Sequence, residues 1–291
     1  MKYSFITQHK NTYPIRLMCQ VLGVSRNGYY SFQSSKARDV EPVHLEMLEW
    51  IQDIGESSKF SYGSGRMKRA LNVLGYPVSR QKTRRLMKEA GVQARHRKKY
   101  KVTTNSKHKQ PVFENLVARK FDVDVKDTVY AGDITYIWTQ EGWLYLAVIL
   151  DLYSRKVVGW SMSSRMNSQM VCDALTMAIW NRKPLRGLIC HSDRGSQYAS
   201  KKYRKLLEAN GFLGSMSRKG DCWDNSVVES LFGSLKQERV HWENYQTRYE
   251  AQQDILDYIV MFYNSTRLHS TLKYCSPVDF ERKQEELKFA A

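Results

Sequence analysis

The sequence predicts a two-part chain, a basic all-α region followed by an α/β domain, and three observations predict it. Charge is unevenly placed: residues 1–110 carry 22 Lys+Arg against 7 Asp+Glu, while residues 111–291 carry 24 against 22. Nearly all of the net charge of +17 therefore sits in the first part. That part shows apolar residues recurring at helical spacing. From Phe121 onward, β-branched and aromatic runs alternate with amphipathic stretches, as in an α/β sheet domain. At 291 residues and 42% hydrophobic content, the chain can bury a sizeable core.

Two segments of the basic part read as helix-turn-helix units. In IRLMCQVLGVSRNGYYSF, Ile15, Met18, Cys19 and Leu22 form a stripe, Gly23 turns the chain, and Ser25 can cap a second helix. In GRMKRALNVLGYPVSRQKTRRLMKEAGV the stripe is Met67, Ala70, Leu71 and Leu74, and GYP makes the turn. Ser79 caps the following helix and Gly91 stops it. That helix carries Arg80, Lys82, Arg84, Arg85 and Lys88, with Leu86, Met87 and Ala90 for packing. A basic helix after a tight turn is the layout of a recognition helix in a DNA groove, although a small helical domain with a solvated basic face has the same pattern. The next stretch, ARHRKKYKVTTNSKHKQP, is polar and includes Arg97, Lys98 and Lys99. It reads as a linker that can lie along phosphates, which gives affinity without sequence specificity.

Beyond it, TVYAGDITYIWT, GWLYLAVILDLYS and KVVGWSMS read as strands, with Gly142 in the first turn. An amphipathic helix (NSQMVCDALTMAIWNRK), a short strand (GLICHSD), a helix closed by Gly211 and a fifth strand (FLGSMSR) follow. A helix bearing Glu229 comes next, and a long helix from about Arg248 to Tyr263 closes the unit. The boundaries predicted are a helical, helix-turn-helix-like region over 1–94, a basic linker over 95–119, a core over 120–282 and a tail over 283–291.

Three acids are the candidate chemistry: Asp133 in an apolar run, Asp193 at the end of the strand-like LIC, and Glu229 on a helix with the apolar face Val228, Leu231, Phe232 and Leu235. Three convergent oxygen ligands suit Mg²⁺, a hard cation. A pair of such ions activates a nucleophile and stabilises a leaving oxygen in line. The chain has 29 acidic residues, so spacing alone is weak, and Asp151, Asp173, Asp221 and Asp224 are rivals. Asp151 can cap a strand or brace a turn, and Asp224 can serve as an acidic N-cap. Positions 229, 233 and 236 share one helical stripe and read Glu, Gly, Lys. The glycine leaves room for a nucleic-acid backbone, and Lys236 either contacts a phosphate or stands solvated. His191 shares a strand face with Asp193 and is expected to be satisfied by hydrogen bonds.

DITYIWTQEGWLYLAVILDLYSRKVVGW, HSDRGSQY, DNSVVESLFGSLKQE and YNSTRLHSTLKYCSP, in that order, resemble the catalytic region of insertion-sequence transposases of the retroviral-integrase superfamily. The likeness covers roughly residues 120 to 282. That group shares an Asp, Asp, Glu signature with 35 residues between the last two, the separation of Asp193 and Glu229 here. The resemblance implies a ribonuclease-H-like core with a mixed five-stranded sheet. It makes Asp133, Asp193 and Glu229 the catalytic, metal-binding acids, for Mg²⁺ or Mn²⁺ as two ions, and Lys236 the basic residue that usually follows the glutamate. Leu231 replaces a common Phe, apolar for apolar. Arg267 and His269 match a family pattern, read here as packing beside the site.

The function implied is a DNA transposase: water attacks the phosphodiester at an element end, then the freed 3′-hydroxyl attacks a second phosphodiester. Two alternatives stay open, a nuclease of the same fold that stops after hydrolysis and a catalytically silent DNA-binding regulator. An RNA-binding role has no stacking-aromatic signature in the basic half. The implied partners are double-stranded DNA, further copies of the chain on that DNA, and an upstream-frame product. In two-frame elements that product supplies a helix-turn-helix and a zipper, and no heptad zipper of adequate length is present here. The five cysteines occur singly, which fits reduced thiols in a cytoplasmic protein, and the transposase resemblance implies a place on the nucleoid. The apolar run Trp143 to Leu150 is too short to span a bilayer.

Overall fold

The computed structural model describes residues 1–36, 42–95, 111–218 and 222–289. Helices α1 (Lys2–His9), α2 (Ile15–Val21) and α3 (Arg26–Lys36) close over Ile6, Met18, Cys19 and Tyr29. Gly23 takes φ +62° at the α2–α3 turn, and Ser25 Oγ accepts from the backbone N–H of Gly28 at 3.4 Å. Helix α1 buries only Ile6 and so shows no stripe by which the sequence announces it.

Helices α4 (Pro42–Ser57), α5 (Ser64–Val73) and α6 (Arg80–Glu89) pack around Met47, Ile51, Met67, Leu71, Leu86 and Met87. Ser79 Oγ accepts from Lys82 N at 3.1 Å, and Gly91 leaves α6 at φ +72°. Leu74 is a correction: it is 41% exposed, because α5 ends at Val73 and helical periodicity stops with it. Helix α4 is the wall that a reading led by basic residues leaves out.

Strands β1 (Val129–Thr139), β2 (Gly142–Asp151), β3 (Val157–Ser163), β4 (Ile189–Ser192) and β5 (Leu213–Met216) form one sheet in the order β3-β2-β1-β4-β5. The first three make an antiparallel meander, while β4 lies parallel to β1 and β5 parallel to β4. Both faces are covered. Helices α7 (Ser168–Arg182) and α8 (Lys201–Asn210) pack on the face of Ala147 and Ile149. Helices α9 (Ser226–Glu238) and α10 (Arg248–Asp257) pack on the face of Leu144, Leu146 and Val148. Double coverage explains why β2 reads as a continuous apolar run. Gly159 lets α7 come close: a Cβ there would lie 2.2 Å from the carbonyl oxygen of Ala174. This is the ribonuclease-H-like arrangement, a mixed five-stranded sheet preceded by an all-α region.

The closing helix covers the expected range, Arg248 to Asn264, but its second half is π-helical. Helix α10 passes into a π-helical stretch, Tyr258–Asn264, which buries Tyr258, Ile259, Tyr263 and Asn264. Asn264 then bonds both the N–H and the C=O of Val157, each at 3.0 Å. A last helix, α11 (Pro277–Phe289), runs straight across residue 282 and is pinned by Glu281, which accepts from Arg182 at 2.8 Å and Lys156 at 3.1 Å. The helical region meets the core directly. Leu268 N donates to Tyr62 Oη at 2.9 Å, Arg66 lies 3.6 Å from Glu238, and the Arg95 guanidinium sits 4.6 Å from the Trp242 ring centre. Among the described residues no helix is long and apolar enough to cross a membrane.

Candidate active site

The site is built by a fork in the sheet. Strands β1 and β4 run parallel from Val129↔Ile189 to Gly132↔Ser192, where β4 ends and β1 continues to Thr139. Asp133 is the next residue of β1, and Asp193 is the first residue beyond β4. Residues level with each other on parallel strands point to the same face, so the two carboxylates leave the fork side by side. Each is oriented by main chain: Ile134 N donates to Asp133 Oδ1 at 2.7 Å, and Gly195 N donates to Asp193 Oδ1 at 2.9 Å. A Cβ on Gly195 would stand 2.9 Å from that same Asp193 oxygen, so glycine preserves this approach.

Glu229 comes from the first turn of α9, which Val228, Leu231, Phe232 and Leu235 hold against the sheet. Its side chain is at the solvent-facing rim, whereas Asp133 and Asp193 are half-buried. Burial and then repulsion from Asp193 push the Asp133 carboxyl well above its usual range. Glu229 is raised too, by loss of hydration first and by Asp193 second. Lys236 is buried at 7% exposure, with its ammonium 4.6 Å from the Tyr136 ring centre. Burial lowers it to about 8, and attraction to Asp133 works against that shift. The three acids and the lysine thus share one electrostatic neighbourhood. Among the described residues, however, no three His, Cys, Asp or Glu side chains stand close enough to hold a metal as placed.

The approach to α9 is fixed by Asp224. Its carboxylate accepts from Arg218 (N at 2.9 Å, Nε at 3.1 Å), Arg119 Nε at 3.0 Å and Asn115 Nδ2 at 2.9 Å. Hydrogen bonds from Arg218, joined by Arg119, hold it well below the usual carboxylate range. His191 Nε2 donates to the Asp224 carbonyl at 2.9 Å, which leaves Nδ1 to accept from Ser215 Oγ at 2.8 Å. Burial lowers the His191 pKa, in keeping with that neutral form.

Family models match in three places. Integrase core domain models match residues 125–222 and 229–284, and an HTH-like domain model matches residues 44–100. The chain is 40% identical over 285 residues to Transposase InsF for insertion sequence IS3A of Escherichia coli K12, covering 97% of this chain and 99% of that protein. It belongs to the InsF family of insertion-sequence transposases. An insertion element IS600 31 kDa protein of Shigella sonnei is 40% identical over 270 residues, covering 93% of this chain and 99% of its own length. The catalytic core of BIV integrase is similar at 17% identity and a TM-score of 0.42, over 56% of this chain and 99% of that one. An HTLV-2 integrase core in complex with magnesium is similar at 16% identity and a TM-score of 0.41, over 54% and 97%.

In this transposase the basic residues of α6 read from the sequence, Arg80, Lys82, Arg84, Arg85 and Lys88, are all exposed, while Thr83, Leu86 and Met87 face inward. Arg97, Lys98 and Lys99 lie outside the described residues, as does Asp221. Of the rival acids, Asp151 braces the β2–β3 turn through Ser154 Oγ at 3.0 Å and Tyr153 N at 3.3 Å. Asp173 binds Gln169 on the outside of α7. Asp224 corrects the N-cap reading: Asn225 holds the cap position of α9 with no side-chain cap bond, and Asp224 clamps arginines instead. Of the two readings of Lys236, the solvated one does not hold, since the side chain is 7% exposed.

Two groups beside the fork have no sequence signal. Tyr198 Oη and Asn225 Oδ1 are buried with no hydrogen-bond partner among the described residues. Asn225 Nδ2 reaches the Gly132 carbonyl at 3.4 Å, and a Cβ on Gly132 would lie 3.3 Å from Tyr198 Oη. They stand within DRGSQY and DNSVV, beside two of the acids in the chain, but only the folded fork shows what they flank. Arg267 and His269 pack as expected: Arg267 donates to both oxygens of Glu238 at 2.7 Å, and His269 lies edge-on to Tyr263.

Proposed function

We propose that Asp133, Asp193 and Glu229 are the carboxylates with which this transposase cuts and joins DNA strands at the ends of an insertion element. The observation that supports it most is the register of β1 and β4, which aligns the two aspartates one step past their last pair. In kind, though not in their spacing as placed, the donors suit divalent cations: three hard oxygen acids, two of them with one oxygen steadied by a backbone N–H. The raised carboxyls of Asp133 and Glu229 mark negative charge in need of compensation. Asp133 and Asp193 would hold Mg²⁺ or Mn²⁺ with Glu229 completing the set. Two such ions supply activation of the attacking oxygen and stabilisation of the leaving one. The chain's own part is to hold the phosphodiester in line and to keep Lys236 as a buried cation beside Asp133. Neither step needs a covalent bond to a side chain.

The exposed cations of α6, with Arg97, Lys98 and Lys99, are the DNA-binding residues in this reading, contacting phosphates and a groove. Pairing two element ends calls for more than one copy on the DNA, and an upstream-frame product, fused or associated, is the source of added end recognition. The working place is the cytoplasm, on the nucleoid. Asp133→Asn, Asp193→Asn and Glu229→Gln each lower cleavage of element-end DNA in Mg²⁺ by about a hundredfold or more, with DNA affinity retained. Near-normal cleavage by any one of them removes that residue from the set. Hydrolysis without joining of a labelled end would favour the nuclease reading.

A further inference from the structure

The helical region is seated on the core at the far end of the helix that carries Glu229. Tyr62, just ahead of α5, is buried, and its hydroxyl works in both directions: it accepts from Leu268 N at 2.9 Å and donates to Thr266 O at 3.4 Å. Burial raises that hydroxyl above its usual range, so it stays protonated and able to do both. One turn on, Arg66 of α5 lies 3.6 Å from Glu238, the last residue of α9. Further out, Lys59 lies 3.7 Å from Asp254, and the guanidinium of Arg69 sits 5.0 Å from the Tyr274 ring centre. The Arg95 stack on Trp242 closes the same seat.

Both sides of this seat are stiff. On one side, Met67 and Leu71 of α5 share a core with Leu86 and Met87 of α6, so the exposed cations of α6 move with Tyr62 and Arg66. On the other, Arg267 ties the stretch that Tyr62 grips to α9, donating to Glu238 at 2.7 Å and to Ser234 Oγ at 2.9 Å. Asn264 fixes the same stretch to Val157 of β3. Glu229 and Glu238 lie on one helix, about 14 Å apart along its axis. Every step from α6 to Glu229 is therefore packed helix or hydrogen-bonded side chain. Helix α6 cannot shift against the acids unless Tyr62 and Arg66 let go.

We propose that this seat is a ruler: it fixes the distance between the DNA held by α6 and the bond cut at the carboxylates, with Tyr62 and Arg66 as the positioning residues. The inference rests on the DNA-binding and DNA-cutting roles proposed above. Backbone contacts and a groove-bound helix set the register of a protein on its duplex. A stiff link carries that register to the reacting bond, where a misplacement of about 1 Å costs on the order of a hundredfold in rate. A flexible tether in its place would spread the cuts over the range it can reach.

The test uses the full chain and a duplex carrying the element's own end. In Ca²⁺, the Leu268 amide should be protected from hydrogen exchange and stay protected when DNA binds. In Mg²⁺, cuts should fall at one position, and moving the footprinted stretch inward by one helical turn, about ten base pairs, should move the cut with it. Tyr62→Phe with Arg66→Gln should speed exchange of the Leu268 amide about tenfold and spread the cuts over neighbouring positions. Footprint affinity and circular dichroism should stay as in the unaltered chain, and Tyr62→Phe alone, which keeps the ring, should show a smaller spread. A single unshifted cut position in the double variant overturns the ruler. So does release of the Leu268 amide on DNA binding, which would make the seat a resting state that DNA opens. Two further variants keep the ideas apart. If Asp133→Asn still cuts, the catalytic assignment fails while the cut position still reads the ruler. If Arg84→Ala with Arg85→Ala leaves the footprint unchanged, α6 leaves the DNA-binding set and the ruler, which starts from α6, falls with it.

Discussion

The arginines of α6 and those of the catalytic core make opposite uses of the same side chain. Arg80, Arg84 and Arg85 stand exposed on one helix face. In the core, Arg182, Arg239 and Arg267 are set into the protein against carboxylates: Arg182 on Asp127 and Glu281, Arg239 on Asp254 and Asp257, Arg267 on Glu238. The near-neutral balance of the second part is thus a matter of pairing as well as of composition. Exposed cations add to long-range attraction and are individually dispensable, whereas a buried cation answers for the partner it neutralises.

The strongest way to break that contrast is Arg267→Ala. It leaves Glu238 buried beside Tyr258 and Ser234, and should cost about 3–5 kcal/mol in urea unfolding. A change near zero would mean that water or Arg66, 3.6 Å from Glu238, takes over the charge. Asp224→Asn comes next, at about 2 kcal/mol, because Arg218 and Arg119 are partly exposed and weaken the pair by hydration. The sign with pH follows from the depressed carboxyl. Its stabilisation is complete above the unfolded value of about 4 and fades as pH falls through the lower folded value. The Asn variant should therefore lose part of the acid dependence of stability, and an identical acid limb in both proteins rules the clamp out as its source. The smallest effect belongs to Arg84→Ala with Arg85→Ala, which should change stability by less than about 0.5 kcal/mol. The salt dependence of DNA binding should flatten by about one unit for each phosphate that α6 no longer touches. An unchanged slope would leave α6 a solvated face.

What the sequence displays depends on how local the cause is. Ser79, Gly91 and Gly211 mark helix ends through their own backbone chemistry, and the apolar, β-branched runs of β1 to β3 show because packed layers cover both faces of the sheet. The acids are legible through the four ordered motifs around them. Helix α4 carries a legible stripe in Met47, Leu48, Ile51 and Ile54 that a reading led by basic residues passes over, whereas α11 is hidden because its anchor is a buried glutamate, Glu281, which resembles a surface residue until Arg182 is placed beside it. The role of Asp224 cannot be read from its neighbours in the chain, since two of its partners, Asn115 and Arg119, lie far upstream. The burial of Lys236 is hidden for a similar reason: an amphipathic helix predicts a wet face, but this side chain meets the ring of Tyr136 on another element.

The fork between β1 and β4 also has a bearing on time. An antiparallel meander can pair as soon as each strand leaves the ribosome, but a parallel neighbour needs its crossover first. Asp133 therefore emerges early and waits beside an empty lane while β2, β3 and α7 are made. Asp193 joins it only when β4 slots in next to β1, and Glu229 arrives later still with α9. On the assignment proposed above, the set of three acids is complete only once α9 (Ser226–Glu238) has been made, in the last quarter of the polypeptide.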